Sequence, residues 1–391
     1  MKIYKINEIV DSISETHNFQ KEELIPINTS DILEGDFLQY SYQPTNTLKG
    51  QFKKTTKKND ILFSEIRPAN RRYALVNFLN TEDFVLSTKL MVLRKFNENV
   101  DLDYFYYFLT NQKFLDILQR RAENRIGSFP QITFDLLSEY SIAVPETITE
   151  QKRIVEIIKT IDSKIEMNKK IKNELENMAK ELYDYWFVQF DFPGIDGNPY
   201  KSSGKKMAYN ELLKRNIPAG WKVAKIGDIL DSVPNSKKFK SNEYLEDGCT
   251  PIIDQGEKYI AGYTSEDKII KKYPAVVFGD HSCRVKLVNF PFARGADGTQ
   301  ILYSKIKEIS EYYLYFTVLE LNLDTGYARH FAYLRDFMPI IIPPEEIGIK
   351  YTEITQDLFK EIKTRIFENI ELSKLRDELL PMLMNGQVRV K

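Results

Sequence analysis

The sequence predicts an α+β protein made of two similar units, each closed by a long amphipathic helix, with the two helices paired as an antiparallel coiled coil. Three observations carry that prediction. First, Ile154, Ile158, Ile161, Ile165, Leu175, Met178 and Leu182 recur at steps of three and four, with Asn168 and Ile171 in the turns between. That spacing lays one apolar stripe along a helix, and neither Gly nor Pro interrupts residues 150–190. A helix of about 38 residues at ~1.5 Å rise spans about 57 Å, which is too long for a small-domain core and demands a partner along its length. Second, Ile354, Leu358, Ile362, Ile366, Ile370, Leu375, Leu379 and Leu383 form another such stripe, between Pro343-Pro344 and Asn385-Gly386. Third, both stripes follow a short apolar strand ending in proline, Ser141–Pro145 and Pro339–Pro343. The prolines align at an offset of 198, and Glu181-Leu182 with Glu378-Leu379 at 197. This internal repeat predicts a pseudo-twofold molecule.

Length and composition allow two domains plus the helices: 391 residues, 42% hydrophobic and 28% charged. Cys249 and Cys283 are too few for a disulfide framework and fit a reducing compartment. Met1-Lys2-Ile3 leads into no apolar signal region, and no apolar run approaches the ~20 residues that span a bilayer, so a cytoplasmic protein is expected. The net charge of −1 is not that of a free-standing basic nucleic-acid binder. It leaves room for local basic patches and for a partner that shares the electrostatic work.

In chain order, residues 1–148 form the first unit. Leu24–Ile27, Asp60–Ser64, Tyr73–Val76, Phe84–Ser87 and Lys89–Leu93 read as strands between polar turns, and Asp103–Arg121 reads as one helix. A turn-rich loop, Gly127–Ile132, precedes the strand into Pro145. The long helix occupies 149–190. Residues 191–220, rich in Gly, Pro, Ser and Lys, read as a linker. The second unit, 221–345, repeats the frame. Trp221–Val223, Pro251–Gly256, Ala275–Asp280 and Ile301–Tyr303 read as strands and turns, and Glu311–Leu321 matches the earlier aromatic helix. Thr325–His330 corresponds to the Gly127-Ser128 loop. Residues 346–391 hold the second long helix and a tail.

Basic clusters interleave with Tyr, Ser, Thr and Asn at KKTTKK (53–58), at SEIRPANRR (64–72) and before Gly127. Arg suits phosphate forks and bidentate reading of guanine. The candidate DNA contacts are Lys54, Lys57, Arg67, Arg71, Arg72, Lys89, Arg125, Ser128 and Gln131 in the first unit. In the second they are Gln255, His281, Arg284, Lys286, Arg294, Arg329 and His330.

Catalytic motifs do not accumulate. Gly204-Lys205 fails as a phosphate loop, because Gly197 is misplaced and Lys206 stands where Ser or Thr is needed. Asn198-Pro199-Tyr200 lacks the second proline of an amino-methyltransferase motif. His281 and Cys283 have no second ligand pair, and Asp280 and Asp297 read as surface or turn carboxylates. Neither a catalytic residue nor a metal site is expected.

The segment EQKRIVEIIKTIDSKIEMNKKIKNELENMAKELYDYWFVQFDFP, with DGNPYKSSGKKMAYNELLKRNIPAGW after it, resembles the central conserved region of specificity subunits of bacterial type I restriction-modification systems. IIDQGEKYIAGYT, VVFGDHSCRVKLV and FARGADGTQIL are similar to that family's recognition domains, and LRDELLPMLMNGQVRV to its second conserved region. The resemblance implies two target-recognition domains, each reading half of a bipartite site in double-stranded DNA, at a separation set by the paired helices. It implies two modification (methyltransferase) subunits docked on the helices and conserved regions, joined in some assemblies by two ATP-driven restriction subunits. The expected subunit contacts are Ile154, Ile158, Ile161, Ile165, Leu175, Leu182, Trp186, Ile362, Ile366, Leu375, Leu379 and Leu383. S-adenosylmethionine, Mg and ATP would then sit on the partner subunits, and this chain would be a non-catalytic subunit in a bacterial cytoplasm. Two other readings stay open: a specificity subunit serving a fused modification-cleavage enzyme, and a coiled-coil scaffold that does not bind DNA.

Overall fold

The computed structural model describes residues 1–38, 40–124, 130–296, 298–321, 323 and 329–388. The chain divides into two compact units, Met1–Glu166 with Ile370–Lys391, and Met167–Asn369. Each long helix is shared between units, whereas the sequence sets the helices apart at 149–190 and 346–391.

In the first unit, strand Ile61–Ser64 lies between Leu90–Lys95 and Tyr73–Leu75 in an antiparallel sheet that Val10–Ile13 completes. Ile61, Leu62 and Phe63 are all apolar because both faces of the strand are covered. Ile61 and Phe63 join the core under the helices, while Leu62 joins a second core with Leu90 and Val92. A second sheet pairs Glu23–Ile27 parallel to Phe84–Ser87. Strand Lys2–Lys5 pairs antiparallel with Ser141–Val144, the strand that leads to Pro145.

The second unit repeats this plan. Ala275–Gly279 lies between Val285–Val288 and Thr299–Leu302. Val276 and Phe278 face the helix-side core, and Ala275 and Val277 the opposite one. Thr250–Ile253 runs parallel to Ala293–Gly295, and Lys222–Lys225 pairs with Pro339–Ile342 ahead of Pro343. The internal repeat read from the prolines is therefore a repeat of strand order and pairing.

The helices run Ile148–Tyr183 and Glu345–Met384. Within the first unit Ile154, Val155 and Ile158 share a core with Leu380, Leu383 and Met384, and Arg376 Nη1 meets Asp162 Oδ1 at 3.1 Å. Within the second unit Asn168 Nδ2 donates to Glu368 Oε2 (3.0 Å) and Asn369 Oδ1 (2.9 Å), while Leu175 and Ala179 share a core with Ile362 and Phe359. In each unit residue numbers rise on one helix as they fall on the other, so the pairing is antiparallel.

The buried stripe departs from the predicted one. On the first helix it passes through Asn168, fully buried, and Ala179, leaving Met178 54% exposed. Strict alternation of four and three from Ile154 reaches 168, 172, 175 and 179, so Met178 falls one position off the seam. On the second helix Thr355 and Leu380 are buried, while Ile354 and Leu375 are exposed, for the same reason.

Two other expectations change. The helix read over 103–121 is two helices, Leu102–Thr110 and Gln112–Glu123. Asn111 takes an extended ψ of 145° and its side chain accepts from Phe114 N at 2.9 Å, capping the second helix. The linker at 191–220 holds a hairpin, Met207–Asn210 with Arg215–Pro218. Phe192 stacks on Tyr200 and Trp221 at centroid distances of 4.7 and 4.9 Å, which gives this polar stretch an aromatic anchor. The first long helix ends in a π-helical turn, Asp184–Val188, whose Phe187 carbonyl accepts from Arg215 Nη2 at 3.3 Å.

Gly348, buried in the second long helix, packs against the backbone of Glu308, and a Cβ there would overlap that carbonyl. Gly348→Ala should lower the stability of the chain by up to about 2 kcal/mol. The overlap costs about 1–3 kcal/mol, more than the ~1 kcal/mol that alanine gains in helix propensity. Urea unfolding of the two proteins measures the difference.

Candidate nucleic-acid interface

In both units the same backbone clamp gathers three loops at one end of the central strand. In the first, Glu65 N donates to Lys89 O (3.0 Å), and Glu65 O accepts from Ile132 N (2.8 Å). In the second, Asp280 N donates to Gly298 O (2.7 Å), and Asp280 O accepts from His330 N (3.4 Å). Glu65 and Asp280 thus hold equivalent places, as do Lys89 and Gly298, and Ile132 and His330. A central strand buried on both faces has only its end available for chemistry, so the loops carry it.

The loops themselves differ. After Glu65, Arg67 N donates to Pro130 O (3.1 Å), and a single turn, Pro68–Asn70, is flanked by Arg67 and Arg71, both left-handed (φ 46° and 52°). After Asp280, His281 N donates to Gln255 Oε1 (3.1 Å) and Ser282 Oγ to Gln255 O (2.8 Å), with Cys283 left-handed at φ 53°. Left-handed backbone at non-glycine residues costs of order 1–3 kcal/mol each and tends to collect where function requires it. Gly298, at φ +77°, lies so close to Gln255 and His281 that a Cβ would meet both at 2.8 Å. Asp280 Oδ1 also accepts from Phe331 N (2.8 Å), and His330 Nδ1 lies 2.8 Å from Asp280 O.

The clamp brings together Arg67, Lys89 and Gln131 in one unit, and Gln255, His281, Arg284 and His330 in the other. Arg67, His281 and Arg329 are exposed. Lys89, 48% exposed, lies 3.8 Å from Glu65, and Arg284, 49% exposed, lies 3.9 Å from Glu257. Both pairs are loose enough to exchange for a phosphate. Gln131, Gln255 and His330 are half-buried. Lys57 is exposed on a separate turn, held where Asp60 Oδ2 accepts from Lys57 N (2.7 Å) and Thr56 Oγ1 (3.2 Å). Arg125, Ser128 and Asp297 lie outside the described residues.

Five residues read from sequence as DNA contacts donate to partners within the chain and hold its loops. Lys54 Nζ donates to Leu90 O (2.8 Å), and burial pushes its ammonium below the ordinary lysine range. Arg71 pairs with Glu34 (2.9 Å) and with Gln112, and Arg72 Nη1 serves the carbonyls of Ser30 and Ile32 at 3.0 Å each. Lys286 is 8% exposed. Its Nζ donates to Asp254 O (2.8 Å) and Lys258 O (2.6 Å), and burial lowers its pKa. Arg294 Nε donates to Thr299 O (2.8 Å), and burial lowers its pKa too. Sequence reading missed the Asp60–Arg94 pair, a bidentate contact at 2.8 Å to a carboxylate that is 1% exposed. Its members stand far apart in the chain, and no local pattern marks them.

The residues read as subunit contacts divide similarly. Ile154, Ile158, Ile161, Ile165, Trp186, Ile362 and Leu383 are buried in the chain's own units and are closed to another subunit. Leu175, Leu182, Ile366 and Leu379 are half-buried, and Leu375 is 44% exposed. Among the described residues no group of three or more His, Cys, Asp or Glu is placed to hold a metal ion, and no helix is long and apolar enough to cross a membrane.

Residues 1–177 match the type I restriction modification DNA specificity domain. The chain is 28% identical, over an alignment of 466 residues covering 99% of both proteins, to the specificity subunit of the type I restriction enzyme HindI of Haemophilus influenzae. It is 26% identical to the MjaIX specificity subunit of Methanocaldococcus jannaschii, over 75% of this chain and 71% of that protein. The crystal structure of a type I restriction-modification S subunit from M. genitalium shares its fold, with a TM-score of 0.55 at 17% identity over 98% of this chain and 96% of that one.

Lys286 ties the Gln255 loop to the sheet through two carbonyls, and alanine would leave both without their donor. Lys286→Ala should cost about 1–3 kcal/mol and loosen that loop. Faster amide exchange at residues 254–258, with exchange in the first unit unchanged, is the expected signature.

Proposed function

We propose that the chain is a specificity subunit of a type I restriction-modification system, as its matches over residues 1–177 and to two such subunits support, and that each unit reads one half of a bipartite double-stranded DNA site. The paired helices set the unread gap and carry the modification subunits. The carrying observation is the repeated clamp of Glu65 and Asp280, which presents different side chains from the same frame. One frame with two sets of loops is suited to reading two unlike half-sites. Arg67 can fork onto guanine O6 and N7 from the first unit, and His281 can donate to a purine edge from the second. Lys57, Lys89 and Arg284 fit the phosphate contacts that fix register without reading sequence.

Methyl transfer then belongs to two modification subunits that bring S-adenosylmethionine. Cleavage belongs to restriction subunits that bring ATP and Mg, and this chain supplies recognition without catalysis. The assembly works on DNA in the bacterial cytoplasm.

Sequencing that detects modified bases tests the reading in cells with the modification partner, with and without this gene. A bipartite motif that vanishes on deletion is expected, and an unchanged methylome removes the proposal. Arg67→Ala should relax one half of the motif and His281→Ala the other, each by about 1–3 kcal/mol of discrimination. Removing one heptad from each long helix takes away about 10 Å and should shorten the unread gap by about three base pairs, at ~3.4 Å each.

A further inference from the structure

Within the second unit a hollow of about 170 Å³ opens beside the edge strand Val285–Val288, where that strand faces the two long helices. Tyr259, Tyr315 and Phe359 wall it together with Leu287 and Ile362, and the Tyr315 and Phe359 rings meet edge-on at a centroid distance of 6.0 Å. At its rim Lys172 pairs with Glu176 (3.0 Å). Three polar groups of the lining have neither a hydrogen bond nor an ion pair among the described residues. They are the ammonium of half-buried Lys363, the Tyr315 hydroxyl and the Asn289 side-chain amide.

In the first unit the same place is filled. Tyr104 and Tyr313 are equivalent, because each hydroxyl donates to a carbonyl of the strand ahead of its long helix, Ala143 (3.1 Å) and Ile341 (2.8 Å). Tyr106 therefore corresponds to Tyr315. Beside Tyr106 runs a turn of the chain itself. Gly35 N donates to Tyr73 O (2.9 Å), and a Cβ on Gly35 would stand 3.0 Å from the Tyr106 hydroxyl. Glu34 and Asp36 flank that glycine. What an acidic turn occupies in one unit is left open in the other, with an unpaired lysine beside it.

An apolar cavity of about 150 Å³ takes up benzene, so this hollow admits one six-membered ring. Aromatic walls favour such a ring by edge-to-face contact. An unpaired ammonium favours a carboxylate, since a charge-assisted hydrogen bond is roughly twice as strong as a neutral one. We propose that the hollow binds a small aromatic carboxylate, its ring among Tyr259, Tyr315 and Phe359 and its carboxylate accepting from Lys363 and the Tyr315 hydroxyl. Tyr259 ties this site to a neighbouring loop. Its hydroxyl donates to Leu287 O (2.6 Å), and Lys286 in the same strand holds the carbonyls of Asp254 and Lys258 (2.8 and 2.6 Å). Residues 254–259 are thus both a wall of the hollow and the loop that carries Gln255, and a ligand packed on Tyr259 steadies that loop. Neither step depends on the DNA that the chain reads.

Isothermal titration calorimetry of the full-length chain with phenylacetate should show one saturable site. Phenylacetamide, alike in shape but neutral, should bind about tenfold more weakly. Lys363→Gln should lose about tenfold in phenylacetate affinity and Lys363→Arg should keep it. Lys363 has no internal partner, so neither change removes a contact on which folding depends. With phenylacetate at about ten times its dissociation constant, amide exchange through openings that break the site should slow about tenfold at residues 254–259 and 285–289, while the first unit is unaffected. Absence of a saturable site on the wild-type chain, equal binding of phenylacetamide, wild-type affinity in Lys363→Gln, or unaltered exchange in both segments would each overturn the proposal.

Discussion

A helix of 36 residues cannot hold itself in water, and the rest of this molecule is arranged around that constraint. Each buried isoleucine on its seam contributes about 1.5–3 kcal/mol, but only where a facing surface exists. Both units supply one. The first half of one helix and the last part of the other complete the core beneath the first unit's sheet. The remaining parts do the same in the second unit. The strand that ends in proline ahead of each helix is itself paired within its unit, so every helix starts from an anchored point. The seam is not uniformly apolar. Asn168, fully buried between Glu368 and Asn369, gives up stability relative to leucine, and a polar residue at such a position restricts the register in which two helices can pair.

With the helices closing one side of each unit and sheets covered on both faces, the ends of the central strands are the places left for polar chemistry. The clamp on Glu65 and Asp280 exploits this. Main-chain bonds fix the loop bases, so the side chains beyond them are free to differ. Left-handed backbone at Arg67, Arg71 and Cys283 is tied down by further main-chain bonds, from their amides to the carbonyls of Pro130, Pro68 and Gly279. Charge is handled locally. Buried Lys286 and half-buried Lys54 and Arg294 stabilise carbonyls at the strand ends, and Arg67, Lys89 and Arg284 remain at the surface.

The parts legible in the sequence were those with a period or a repeat. The two helices, the strands before their prolines and the apolar central strands follow from the placing of apolar residues. The exact seam was not legible, because Met178 and Ala179 both satisfy a loose periodicity and only the facing helix distinguishes them. The hairpin at 207–218 was hidden by polar composition, since its anchor is an aromatic stack formed with Phe192, Tyr200 and Trp221. At the candidate site the sequence marked loops that the clamp gathers but could not separate their side chains. Lys286 and Arg284 stand two apart in one strand-turn segment, yet one is buried under carbonyls and the other faces solvent. That distinction depends on where residues 254–258 pass, which is tertiary information.

What the repeat keeps and what it changes separates the two surfaces of the molecule. At the clamp the backbone bonds are kept while the side chains change: Lys89 stands against Gly298, and Ile132 against His330. On the outer faces of the helices the side chains themselves are kept in kind, apolar against apolar and glutamate against glutamate. A duplicated surface that must meet two different targets is free to diverge, provided its frame survives. Loops that differ on a common frame, beside helix faces that agree position by position, mark where the duplicated chain has diverged and where it has not.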